Sequence, residues 1–246
     1  YYSCRYRKSS NFILQTSCLM ISIPFFLTLY AGFTHAFETD HILAVSNIVS
    51  NRKNIKLSLK DGAFWGFGHT STIVFIGIIM LLLKVNITDQ TFQYFESTVG
   101  LMLIILGVFR LSKIIKEKKN TVHNHTHQHQ ESSQCQHLHV HISEKEKHVH
   151  THKLAYGVGL VHGLAGSGAL ILIVMAQSKT TFNGLVYLLL FGLGSVLGMM
   201  FAAGLFSIPF SKRILVNKYL QIALILISGT LCISYGSWVI YKNLIA

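Results

Sequence analysis

Thr34-His35-Ala36-Phe37-Glu38-Thr39-Asp40-His41-Ile42 sets two imidazoles and two carboxylates within seven residues of an otherwise apolar run. His69 and His162 add two more imidazoles, each inside its own apolar stretch. Ionisable side chains are costly in hydrocarbon, so their presence there points to function. Imidazole nitrogen and carboxylate oxygen together suit divalent ions such as nickel, cobalt, zinc or manganese. The candidate metal-binding residues are therefore His35, Glu38, Asp40, His41, His69 and His162. The plainer alternative for each is a hydrogen bonder within packed helices. It is strongest for His162, whose neighbours Gly163, Gly166 and Gly168 suit a tight helix crossing.

On an ideal helix His35, Glu38 and His41 share one face, while Asp40 points away. Two arrangements bring Asp40 in. Either the helix is broken at the motif, as transporter helices often are, or Asp40 orients a ligand histidine from behind.

The elements that must position these residues are long and apolar. Of 246 residues 51% are hydrophobic and only 12% charged, about half the roughly 25% of a soluble domain. Apolar stretches run over about 62–84, 97–112, 154–176, 183–208 and 218–241, most near the roughly 20 residues that cross a bilayer. The stretch 12–50 would be roughly 58 Å long as one helix, so two crossings are expected, with a break between Pro24 and Gly32. The fold class expected is an all-α integral membrane protein with about seven transmembrane helices.

Net charge is +12, but the basic residues sit in short loops without any nucleic-acid-binding pattern, and no nucleic-acid partner is expected. Eighteen of the 21 Lys and Arg fall on one side if the N-terminus is inside and 12–50 crosses twice, leaving Lys84, Lys179 and Lys242 opposite. Cys4, Cys18, Cys135 and Cys232 form no CxxC pair and no disulfide framework.

A duplication is also legible. Gly32-Phe33-Thr34-His35-Ala36 matches Gly159-Leu160-Val161-His162-Gly163, Gly66-Phe67-Gly68-His69 matches Gly192-Leu193-Gly194-Ser195, and Gly100 with Gly107 match Gly229 with Gly236, at offsets of 127, 126 and 129. An odd number of spans per copy inverts the second copy, and inverted repeats hold their site at the interface near mid-membrane. The division expected is a basic segment 1–11, an extra helix plus first three-helix repeat over 12–112, a disordered loop 113–153 and a second three-helix repeat over 154–246. His35, His69 and His162 should then share one polar cavity, with Ser195 facing His69.

The loop 113–153 carries ten histidines, at 123, 125, 127, 129, 137, 139, 141, 148, 150 and 152. Such His-rich composition binds metal weakly at many places. The charge bias sets it, and the N-terminus, on the cytoplasmic or equivalent inner side.

His35-x-x-x-x-Asp40-His41 resembles the signature of the nickel/cobalt transporter (NiCoT) superfamily. Phe67-Gly68-His69-Thr70-Ser71-Thr72 is similar to that family's next helix. Gly159 to Gly168 resembles the second half of its compact, UreH-like urease-accessory branch. The resemblance covers residues 30–240. It implies metal transport, with His35, Asp40, His41 and His69 as functional positions. Thr34 stands where the better-known importers have Arg, Glu38-Thr39 replaces Asp-Ala, and the later acidic motifs are missing. These departures bear on selectivity and direction rather than on fold.

The expected function is movement of nickel or cobalt across a bilayer through the His/Asp site. No G-x-x-x-x-G-K-[ST] run supplies ATP hydrolysis, and no H-E-x-x-H suggests a metalloprotease. The chain is thus expected to be a non-enzyme without a permanently bound cofactor, its partners being the metal ion, the lipid bilayer and a cytosolic metal chaperone. The alternatives are an exporter, and a membrane-bound nickel chaperone or urease accessory factor that translocates nothing.

Overall fold

The computed structural model describes residues 24–50, 52, 54–83, 88–120, 151–165, 180–210 and 218–245. They form α1 (24–35), α2 (Thr39–Val49), α3 (Ile55–Leu83), α4 (Asp89–Asn120), α5 (Thr151–Ala165), α6 (Thr181–Ser207) and α7 (Lys218–Leu244), with a 3-10 turn over Ile208–Phe210 after α6. No strand occurs among the described residues.

Four stretches are long and apolar enough to cross a membrane: Ile55–Leu83, Gln90–Ile114, Thr181–Phe210 and Tyr219–Leu244. Their outward faces keep Phe75, Phe109, Phe182 and Tyr219 more than half exposed, as a lipid-facing surface allows. Helices α2 and α5, at 11 and 15 described residues, are shorter than the roughly 20 of a full crossing.

Three boundaries differ from the sequence reading. The break expected between Pro24 and Gly32 is not there, because 24–35 is one helix and the chain leaves it at 36–38. Gly32 answers a packing demand rather than a turn, since a Cβ there would lie 2.1 Å from the Phe191 carbonyl oxygen. Helix α4 runs on to Asn120, since the Lys and Glu residues of its last turns are good helix formers. Helix α5 already begins at Thr151. Residues 1–23 and 121–150, which hold the basic segment and most of the His-rich loop, and 166–179 lie outside the described residues.

Helix α3 packs on α5 and α6, α4 packs on α7, and α2 rests among α4, α6 and α7. Small residues let these backbones touch. A Cβ on Gly66 would lie 2.7 Å from the Val196 Cα, and one on Gly192 would lie 2.2 Å from the Thr70 methyl. Gly100 would meet the Gly236 carbonyl oxygen at 2.7 Å, and Gly236 the Gly100 carbonyl oxygen at 2.5 Å. Without a hydrophobic drive between helices in lipid, such close approach supplies the dispersion contacts that hold them. Hydrogen bonds add to it. Thr70 donates to the Gly192 carbonyl at 3.1 Å and Thr72 to the Leu160 carbonyl at 3.0 Å, each worth about 0.6 kcal/mol in a membrane.

Candidate functional site

The interruption between α1 and α2 builds the centre of the site. The Thr34 hydroxyl donates to the Tyr30 and Ala31 carbonyls at 3.0 and 3.1 Å, drawing acceptors away from the helix ladder. The amides of Phe37 and Glu38 then turn back to the Thr34 and His35 carbonyls at 2.9 and 3.0 Å. Glu38 is extended, with φ −65° and ψ 154°, and a new helix starts behind it. Asp40 falls in the first turn of α2, where the helix dipole favours a negative charge. Because the helix is broken, the wheel that pointed Asp40 away from His35 and His41 does not apply.

Helix α2 is anchored by polar contacts along its other end. The Ser46 and Ser228 hydroxyls lie 2.8 Å apart, and the Asn47 amide donates to the Cys232 sulfur at 2.8 Å. These fix the end of α2 against α7.

Four imidazoles converge at the break. His35 and His41 ring centroids are 4.6 Å apart, His35 and His69 5.3 Å, His41 and His69 5.3 Å, and His41 and His162 4.1 Å. All four are buried. The expected ligands from the broken helix, α3 and α5 therefore meet at one place. His162 belongs with the others.

The carboxylates settle which nitrogens remain available. An ionised carboxylate only accepts, so the imidazole donates. His35 Nδ1 donates to Glu38 Oε1 at 2.8 Å, His41 Nδ1 to Asp40 Oδ1 at 3.1 Å and His162 Nε2 to Asp40 Oδ2 at 2.9 Å. One Asp40 carboxylate thus orients two rings. Glu38, 56% exposed in its side chain, stands at the rim and bonds His35.

The opposite nitrogens, His35 Nε2, His41 Nε2 and His162 Nδ1, have no hydrogen-bond partner among the described residues, and neither nitrogen of His69 has one. Leaving a buried polar group unpaired costs about 1–3 kcal/mol each. Two ligand groupings fit within 4.8 Å: His35, His41 and His69, and Asp40, His41 and His162. His41 is common to both. Imidazoles oriented by carboxylates are the usual way proteins prepare histidine for a metal.

Two features were missed in the sequence. The Trp65 ring lies 5.6 Å from His41 and 5.7 Å from His162 and is fully buried. An aromatic within an apolar span carries no signal that separates it from lipid-facing neighbours. Asp61 is also buried, paired with Arg52 and His152. At the polar edge of an apolar stretch, an aspartate carries no signal of its own that it is buried. Ser195 donates to the Phe191 carbonyl at 3.0 Å, within its own helix.

Comparison with known proteins agrees with this picture of a membrane chain. The family model for the cytochrome C biogenesis protein transmembrane region matches residues 12–238. The urease accessory protein UreH of Bacillus sp. (strain TB-90) is 35% identical over 195 residues, covering 78% of this chain and 81% of that protein. The Chloroplast protein FOR GROWTH AND FERTILITY 1 of Arabidopsis thaliana is 28% identical over 171 residues, 69% of this chain but 45% of that longer protein. No solved structure matches. The chain is an integral membrane protein and belongs to the family of the cytochrome C biogenesis protein transmembrane region, and with it to that of the urease accessory protein UreH.

Proposed function

We propose that this protein carries a divalent transition-metal ion, nickel or cobalt first, across the bilayer. The ion would bind His35, His41 and His69, with Asp40 and His162 beside them. The observation that carries the reading is the set of buried ring nitrogens at the α1–α2 break without a partner among the described residues, the rings of His35, His41 and His162 being turned by Asp40 and Glu38. Neutral nitrogen donors of this number suit nickel and cobalt better than magnesium or calcium. The resemblance of the His35 to His41 motif to the nickel/cobalt transporter superfamily supports the same ion class, and the name of the UreH relative supports a tie to nickel metabolism.

The architecture we infer is seven spans, N-terminus inside, with two inverted three-helix repeats around the site. Its support is the pairing of contacts: Gly66 with Val196 is matched by Gly192 with Thr70, and Gly32 with Phe191 by Gly159 with Trp65. Transport then needs no nucleotide site of its own, and the His-rich segment serves as an inner reservoir.

The second reading, favoured by the relative's name alone, is an accessory factor that hands nickel to urease without translocation. Radiolabelled nickel uptake into proteoliposomes separates the two. Uptake by the parent protein that disappears in His41→Ala, with normal insertion, is the expected result. A parent that binds nickel but never moves it would leave the accessory role.

A further inference from the structure

A second polar cluster lies away from the four histidines. Asp61, near the start of α3, is 1% exposed in its side chain. Arg52, just ahead of α3, reaches it with Nε at 2.5 Å and a terminal guanidinium nitrogen at 3.0 Å. His152, in the first turn of α5, donates from Nδ1 to the Asp61 carboxylate at 2.6 Å, and its ring stacks on Phe64 with centroids 5.2 Å apart. Helices α3 and α5 and the α2–α3 connection are tied through one buried carboxylate.

Helices α3 and α5 run parallel, since Gly159 meets Trp65 and Gly163 meets His69 and Thr72. One seam therefore has Asp61 and His152 at its start, and His69 and His162 further along. At 1.5 Å per residue, His69 lies roughly 12 Å beyond Asp61 and His162 roughly 15 Å beyond His152. Trp65 stands between the two polar clusters on α3. Both ends offer the same ligand chemistry, a carboxylate touching an imidazole.

We propose that Asp61 and His152 form a second binding position for the divalent cation, at the start of the α3–α5 seam, latched by Arg52 in this structure. The inference rests on the metal-carrying reading of the buried histidines. A buried ion pair is weak support for stability, and its charges are often retained for another purpose. Here the guanidinium occupies the carboxylate that an arriving cation would need. A cation at Asp61 replaces the positive charge that Arg52 supplies, so the carboxylate stays compensated while Arg52 swings away. His152, 29% exposed in its side chain, is more open than Arg52 at 17% or Asp61 at 1%.

The test uses the full chain in proteoliposomes with Trp238 changed to Phe, so that Trp65 is the sole tryptophan. Taken as the part that His41→Ala abolishes, quenching of Trp65 by added cobalt reads the buried histidines, and initial uptake reads passage. The variant Arg52→Gln/Asp61→Asn removes both charges of the pair together. Expected is unchanged equilibrium quenching with uptake reduced on the order of tenfold. In His152→Cys, zinc uptake should rise relative to nickel, because thiolate favours zinc. Parental uptake in the double variant, an unchanged zinc-to-nickel ratio, or loss of quenching together with uptake would each overturn the proposal, the last by making the cluster structural. A parent that transports without Trp65 quenching would sink the buried-site reading instead, and the His152→Cys ratio would still decide this one.

Discussion

At the α3–α5 contact a Cβ on Gly159 would lie 2.1 Å from the Trp65 carbonyl oxygen, and at the α1–α6 contact one on Gly32 would lie 2.1 Å from the Phe191 carbonyl oxygen. The aromatic rings behave alike as well. His162 packs against Trp65 at 5.7 Å and His35 against Phe191 at 5.4 Å. Beyond this shared geometry the two seams part. The first has His69 on α3, four residues after Trp65, and Thr72 bonded across to α5. The second has Ser195 on α6, four residues after Phe191, and Gly198 in place of the threonine. Glycine spacing sets how closely the helices cross, and this can be kept while the polar groups change. Packing and ligand chemistry are separable in this protein.

The largest effect expected follows from the pair His69 and Ser195. His69→Ala should abolish nickel binding and uptake, while Ser195→Ala should leave both within about twofold, because its hydroxyl bonds only within α6 among the contacts seen. Equal loss in the two variants would make the seams chemically equivalent and break the comparison. Isothermal titration of the purified protein, alongside vesicle uptake, measures it.

Asp40→Asn comes next. It removes the carboxylate that turns His41 and His162, and loss of such an orienting partner typically lowers metal affinity about 10–100-fold. The loss should appear in affinity with thermal stability little changed. Unaltered affinity would remove the orienting role.

The shared packing is tested by Gly159→Ala and Gly32→Ala. Each new methyl meets a partner carbonyl, and overpacking costs about 1–3 kcal/mol, so both should lower the unfolding midpoint by similar amounts. Gly157→Ala, whose Cβ would meet nothing within 4 Å, should stay within about 0.5 kcal/mol of the parent. A large asymmetry between the first two would show that one seam holds the fold alone.

The smallest effect is Glu38→Gln. Its side chain is 56% exposed and can still accept from His35, so nickel affinity should fall only a few-fold. A loss as large as that of Asp40→Asn would move Glu38 from the rim into the metal's own coordination.

Much of this was legible in one dimension. An apolar helix in lipid tolerates an ionisable group only for a reason, so His35, Asp40, His41, His69 and His162 could be picked out by type and surroundings alone. Glycines recurring at offsets of 126 to 129 sit where helices touch, although the offsets did not say which helices would meet. The long spans followed from apolar length.

Tertiary structure decided what periodicity has no access to. The sequence offered Pro24 and Gly32 as the place where the chain bends, yet the bend came at 36–38, at the motif itself. There the Thr34 hydroxyl competes for helix carbonyls, and Ala36, the first residue of the bend, lies against Gly198 of α6. Only that bend lets Asp40 reach His41 and His162 together. Asp61 gave no sign of burial because its partners, Arg52 and His152, are 9 and 91 residues away in the chain. Residue type reveals which groups cost too much to bury without a purpose. Which of them share a carboxylate depends on helices meeting across more than a hundred residues of chain, and that is set by packing.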